Sequence, residues 1–131
     1  MSDYTILTAV KGHLLIERAA KPIHFALPSE ATYPFVLVTI EDISPTDFLS
    51  SRSIQRRIRF KVSVYYLMPN QIEAVNYSYK IIRSLHGADL WFPKIKSAHI
   101  RLLSCISETT TDERQAMAIH HLYDATIVAC N

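Results

Sequence analysis

Residues 54–66 read Ile54-Gln55-Arg56-Arg57-Ile58-Arg59-Phe60-Lys61-Val62-Ser63-Val64-Tyr65-Tyr66, and this run decides the fold. Successive side chains of a strand point to opposite faces of a sheet. Ile54, Ile58, Phe60, Val62, Val64 and Tyr66 share one parity and are expected to face a core. Arg56 shares that parity but lies near the start, where it reaches water. Gln55, Arg57, Arg59, Lys61, Ser63 and Tyr65 take the other side, which an antiparallel sheet leaves wet. A strand that is apolar on one side and basic on the other implies a sheet covered on a single face.

The stretches on either side extend this reading. Upstream, Tyr33-Pro34-Phe35-Val36-Leu37-Val38-Thr39-Ile40 gives a strand over 35–41, opened by a proline whose missing N–H does least harm at a strand start. The connection 42–53 is long for a hairpin and carries Phe48 and Leu49, which mark either a contact surface or side chains folded back on the core. Downstream, Asn70 and Glu73 have the spacing of a capping box, and Gly87 suits a left-handed C-terminal cap, so a helix is expected over about 71–86. Ile72, Val75, Tyr79 and Ile82 form its apolar stripe, widened by Ile81 and Leu85, and are expected to pack on Phe60, Val62 and Val64.

Two further strands are expected, over roughly 95–108 and 114–129. The first carries Ile100, Leu102 and Ile106 on one parity; the second carries Met117, Ile119, Tyr123, Ala125 and Ile127. Near the N-terminus, Ile6, Leu7, Val10, Leu14 and Leu15 recur at helical spacing over 4–20, with Ser2 or Asp3 as cap and Pro22 as stop. Residues 21–34 read as irregular. The resulting expectation is an α+β domain over 1–131: a four-stranded, mainly antiparallel sheet with two helices on one face, in the order α-β-β-α-β-β.

Composition narrows the function. The chain has 131 residues, 49% hydrophobic and 20% charged, which fits one globular domain with a core. Two glycines exclude Gly-rich phosphate loops, and a net charge of +2 argues neither for nor against nucleic acid. Cys105 and Cys130 make neither a disulfide framework nor a zinc motif, which fits a reducing compartment. Met1-Ser2-Asp3-Tyr4 opens without a basic region, so no signal peptide is expected, and no run approaches the roughly 20 apolar residues of a membrane span.

No catalytic constellation is visible. His120 and His121 are adjacent in a strand, point to opposite faces and cannot hold one ion together. His13, His24, His86 and His99 lack an i, i+4 partner of ligand type. There is no nucleophile elbow, and the carboxylates gather only in turns: Glu41 with Asp42, and Asp112 with Glu113. No enzyme, cofactor or metal is therefore expected. The basic stripe Arg57, Arg59 and Lys61, with Arg52 and Arg56 nearby, is the leading charge feature. Three uses stay open for it: phosphate contact, a solvated face paired with acidic residues, or a subunit boundary where charge sets register.

The chain resembles the tail terminator, or tail completion, proteins of long-tailed bacteriophages and gene transfer agents. The resemblance rests on Tyr33-Pro34-Phe35-Val36-Leu37-Val38 after a Pro-bearing loop, the long polar connection, and the long strand ending in Val64-Tyr65-Tyr66. It continues through the helix with Glu73-Ala74, the acidic turn Asp112-Glu113 and the His120-His121 segment. The chain departs from the pattern at Trp91-Phe92-Pro93, where such proteins usually have a Gly-bearing turn. The resemblance implies a virion tail protein, assembled in a bacterial host cytoplasm, that forms a homo-hexameric ring on the head-proximal end of the tail tube. Its implied partners are further copies of itself, the tail tube protein and a head-completion or connector protein, with DNA passing through the ring and no membrane involved. Phe48, Leu49, Arg52, Arg57, Arg59, Lys61, Asp112 and Glu113 are the candidate subunit or tail-tube contacts. The alternatives are a small α+β nucleic-acid-binding domain using Arg57, Arg59 and Lys61, and a small enzyme or ligand-binding domain.

Overall fold

A 15-residue strand, β4 (Ser53–Leu67), runs through the middle of the computed structural model, which describes residues 4–16, 22–29, 32–44, 47–50, 53–88, 95–109 and 116–130. Around it stand α1 (Tyr4–Ile16), β1 (Ile23–His24), β2 (Phe35–Ile43), β3 (Asp47–Ser50), α2 (Gln71–Leu85), β5 (Ile95–Thr109) and β6 (Ala116–Cys130). Five strands lie in the order β1-β2-β4-β6-β5, and β3 pairs with β4 off that path. β1 runs parallel to β2; the other pairings are antiparallel.

The α+β class stands, but the expected four-stranded, mainly antiparallel sheet does not: the sheet is mixed and has more strands. β1 was hidden because two residues carry no periodicity. It is held where Val36 N–H donates to the Pro22 carbonyl at 2.8 Å. β3 was hidden inside the connection 42–53. There β2 runs on through Asp42 and Ile43, and pairing resumes with Asp47 opposite Gln55 and Phe48 opposite Ile54. Register shifts between Ile40 and Asp42 and between Phe48 and Ser50 break the two-residue alternation that a sequence reading depends on.

The core lies between one face of the sheet and the two helices. Ile58, Phe60, Val62 and Val64 of β4 are fully buried, together with Val36 and Val38 of β2, Ile100 of β5, and Tyr123, Ala125 and Ile127 of β6. From α1, Ile6, Leu7, Val10 and Leu14 pack into the same cluster. Each such aliphatic side chain contributes about 1.5–3 kcal/mol by leaving water. His13 Nε2 lies 3.0 Å from the Ser84 carbonyl and ties α1 to α2.

α2 meets the sheet with only part of the expected stripe, Ile81 and Leu85, and otherwise with a different side. Ile72, Val75 and Tyr79 are exposed, at 79%, 36% and 59%, while Ala74, Ser78, Ile81 and Leu85 are buried. The helix carries two stripes at helical spacing, and side-chain size pointed to the wrong one. Ala74 and Ser78 are small, and Ala74 packs in a cluster with Tyr66 and Ile119. The bulk at this contact comes from the sheet, so the larger stripe is left outside. The capping box is also absent: Asn70 occupies the N-cap position without a side-chain cap bond, and a 3-10 turn over Met68–Asn70 leads in through Pro69. At the other end Gly87 takes the left-handed cap, with φ +77°. Its N–H donates to the Ile100 carbonyl at 2.8 Å, and Ile100 N–H donates to the Ala88 carbonyl at 3.0 Å.

β5 contains one further correction. A register shift between Leu102 and Ser104 turns Cys105 to the parity opposite His121 and places Ile106 opposite His120 on the other face. Ile106 is accordingly 61% exposed rather than in the core.

Candidate subunit interface

Arg57, Arg59 and Lys61 project from β4 on the face that carries no helix, at intervals of about 7 Å along the strand. Their cross-strand partners decide their chemistry. Arg59 sits opposite Asp124 of β6, and Arg101 of β5 sits opposite Asp124 on its far side. Arg57 Nη2 lies 3.0 Å from Asp124 Oδ2, and Arg101 Nη2 lies 3.7 Å from the same oxygen. The Asp124 side chain is only 8% exposed, whereas the two guanidiniums are 54% and 60% exposed. Asp124 thus serves as a recessed counter-ion on a basic face. Lys61 Nζ lies 3.3 Å from Glu41 Oε1. Arg59 has no ion-pair partner among the described residues. Asp42, Ser44, Arg57, Arg59 and Asp124 line an open cleft with about 420 Å³ of empty space.

The paired, solvated reading therefore holds for Arg57 and Lys61. Arg59 carries its charge exposed to water. Asp124 was missed at the sequence level, although an acid inside the apolar run from Leu122 to Val128 was the available signal. Phe48 and Leu49 lie on β3 rather than at a loop tip. Arg52, Asp112 and Glu113 lie outside the described residues; among the described candidates, Arg57, Arg59 and Lys61 share one face of β4.

The same face is not wet along its whole length. Past Lys61, Ser63 is fully buried and Tyr65 half-buried. Phe35 of β2 stacks on Tyr65 at 4.8 Å, and the His120 ring meets Tyr65 edge-on at 6.1 Å. His120 Nδ1 lies 2.6 Å from Ser63 Oγ, and its Nε2 lies 2.8 Å from Glu108 Oε1. Burial raises the Tyr65 hydroxyl pKa; Lys61 opposes the shift and Glu108 adds to it. This half of the face is an aromatic and polar lid built from the chain's own side chains.

His121 points the other way, into the core, and is 0% exposed. Its ring nitrogens have no hydrogen-bond partner among the described residues, and neither do the Ser78 and Tyr123 hydroxyls. Burial, with the nearby His120 adding, lowers the His121 pKa to about 4. Burial pushes the Tyr123 hydroxyl up, and Cys105 adds to the shift. Among the described residues no group of three or more His, Cys, Asp or Glu side chains is placed to hold a metal ion. No described helix is long and apolar enough to cross a membrane.

No family model matches the sequence, and no curated protein matches it. Among solved structures, the chain is similar to one in the "Virion of native gene transfer agent (GTA) particle". The two are 16% identical with a TM-score of 0.68, and the match covers 93% of each chain. At that identity the likeness is one of fold.

Proposed function

We propose that this chain is a structural subunit of a phage-like particle. In this reading it closes the head-proximal end of a tail tube as a hexameric ring, ends tube polymerisation, and offers the surface that a head-completion protein meets. The observation that carries the reading is the fold shared, over 93% of both chains, with a component of a gene transfer agent virion. The sequence resemblance described above points the same way from different information: local strings and element order rather than coordinates.

The surface suits such a role. A heterologous ring needs two different patches on one subunit, and this one has a basic outer face, an exposed helix stripe and two unlike sheet edges. The nucleic-acid alternative loses ground because Arg57 and Lys61 already meet carboxylates, which leaves Arg59 as the only member of the stripe free for phosphate.

The test is electron microscopy of particles made with and without the gene. Tubes of uncontrolled length and unattached heads are expected in its absence. Tails of normal length joined normally to heads would overturn the reading.

A further inference from the structure

Among the described residues, the large exposed apolar side chains, Met68 apart, stand at the two ends of the sheet, beside β1 and beside β5. At the β1 end, Phe25 is 40% exposed and Leu27 66%. At the β5 end, Leu103 and Ile106 lie exposed on the strand itself. The stripe Ile72, Val75 and Tyr79 belongs to this end too. These residues precede His86 by close to four, three and two helical turns, so they share its side of α2. His86 Nδ1 accepts the Leu102 N–H at 3.0 Å on the outer edge of β5. Two unlike apolar sites on one subunit are what a heterologous, ring-forming contact requires.

The same two ends carry open backbone edges. His86 to Ala88 occupy the β5 edge at Ile100 and Leu102. From Cys105 to Thr109 that edge pairs with nothing among the described residues, and neither does the outer edge of β1. The two open stretches are level. Val36 lies opposite Val64, Val64 opposite Ile119, and Ile119 opposite Ser107; Leu37, Ser63, His120 and Ile106 form the next row. β1 sets Ile23 beside Val36 and His24 beside Leu37, so Ile23 stands level with Ser107 and His24 with Ile106. β1 runs parallel to β2, and three antiparallel steps separate β2 from β5, so the two edges run in opposite directions. Hydrogen-bonding phase agrees as well. The Pro22 carbonyl turns toward β2 to accept the Val36 N–H, so the backbone groups of Ile23, next along, turn outward. On β5, Ile100 and Leu102 turn their N–H groups outward. Cys105 and Ser107 continue that phase past the bulge, because their partners His121 and Ile119 keep the parity of Ala125 and Tyr123.

We infer that the open edge of β5 and the apolar side of α2 receive the β1 segment, Ile23 to Leu27, of a second copy of this chain. The inference rests on the ring reading and names its subunit boundary. A copy displaced across the sheet, without sliding along the strands, sets its Ile23 opposite Ser107 and its His24 opposite Ile106. The outward backbone groups of Ile23 and Ser107 then meet in antiparallel pairing. The faces agree. Ile23 packs against the core, and Ser107 shares the face of Ile119. His24, whose ring meets Phe35 at 5.7 Å, and Ile106 both lie on the helix-free face. Lys11 of α1 stands over the Phe25 ring at 5.5 Å, which puts Phe25 on the helix side, where the neighbour's α2 stripe stands. Charge opposes nothing here: residues 22–29 hold no Asp, Glu, Lys or Arg, and from Leu103 to Thr109 the only charge is Glu108. An open dimer leaves one β1 segment and one β5 edge uncovered, whereas a closed ring covers all of them.

The experiment is a disulfide cross-link. His24→Cys and Ile106→Cys are combined in a chain that also carries Cys105→Ser. Within one chain the two positions lie on strands four places apart, about 19 Å across the sheet, so only a contact between copies can join them. Purified protein, alone and on isolated tail tubes, is mildly oxidised and run on non-reducing gels, with electron microscopy to score rings. The expected result is a covalent ladder ending at six subunits, which neither single variant gives. Leu27→Asp and Tyr79→Asp change exposed side chains, and thermal unfolding checks that the fold is kept. Each is expected to raise the concentration needed for rings at least tenfold. Rings without the ladder would overturn this boundary and leave the ring reading intact. A ladder that either single variant gives equally, or rings indifferent to both Asp variants, would do the same. A wild-type protein that forms no ring in either setting would overturn the ring reading, and this boundary with it.

Discussion

Acidification acts on this fold through His121. The imidazole is fully buried, without a hydrogen-bond partner among the described residues, and its pKa stands at about 4 against an ordinary 6.5. The folded state accepts the neutral ring and resists the charged one. The unfolded chain binds the proton first, near pH 6.5, so this contribution to stability is complete above that value. It is lost progressively as pH falls toward 4. A gap of about 2.5 pH units, at about 1.4 kcal/mol per unit, gives about 3–4 kcal/mol. Against a typical total of about 5–15 kcal/mol, that is a large fraction. The assay is urea unfolding at intervals from pH 8 to pH 4, for the wild type and for His121→Leu. The two proteins differ only at position 121, so the difference between the two curves isolates the ring. The wild type is expected to lose about 3 kcal/mol more than the variant over this range. At pH 8 the variant is expected to be at least as stable, because leucine leaves no nitrogens unsatisfied. Parallel pH profiles would refute the argument.

Four further outcomes follow from packing, charge and backbone. Ile81→Ala, at a site 1% exposed, is expected to cost about 2–5 kcal/mol in chemical denaturation, whereas Val75→Asp on the outer stripe is expected to stay within about 1 kcal/mol of wild type. Asp124→Asn leaves Arg57 and Arg101 without their shared counter-ion; because both guanidiniums are more than half exposed, water offsets much of the loss. Its expected cost is about 1 kcal/mol, shrinking in 1 M salt. Gly87→Ala meets no atom within 4 Å but forces a Cβ into a left-handed backbone, so a loss of about 1 kcal/mol in thermal or urea unfolding is expected from conformation alone.

What the sequence disclosed, it disclosed through alternation. Ile58 to Val64 announce a one-sided strand, and the structure buries Ile58, Phe60, Val62 and Val64 completely. The adjacent His120 and His121 separate onto opposite faces as strand geometry requires: one reaches Glu108 and the other enters the core. Alternation fails where a residue is inserted. The shift between Leu102 and Ser104 sends Ile106 to the wrong face, and the shifts after Ile40 and Phe48 conceal the strand that fills the 42–53 connection. Helical periodicity fails for another reason. α2 carries two legitimate stripes, and only the shape of the sheet beneath selects Ala74 and Ser78 over Ile72 and Val75. The basic stripe was legible as charge. Its neutralisation was not, because Asp124 and Glu41 come from other strands and are brought near only by register.

β4 and β6 pair residue for residue from Ser53 opposite Cys130 to Leu67 opposite Ala116, with no interruption over 15 positions. At about 3.4 Å per residue that ribbon is roughly 50 Å long, while its neighbours β2, β3 and β5 each carry a register shift. The molecule therefore has a stiff spine and pliant margins. Pulling along the spine loads its hydrogen bonds in shear, all together, whereas pulling across a margin opens them one at a time. The bulged strands at either side absorb the local misfit.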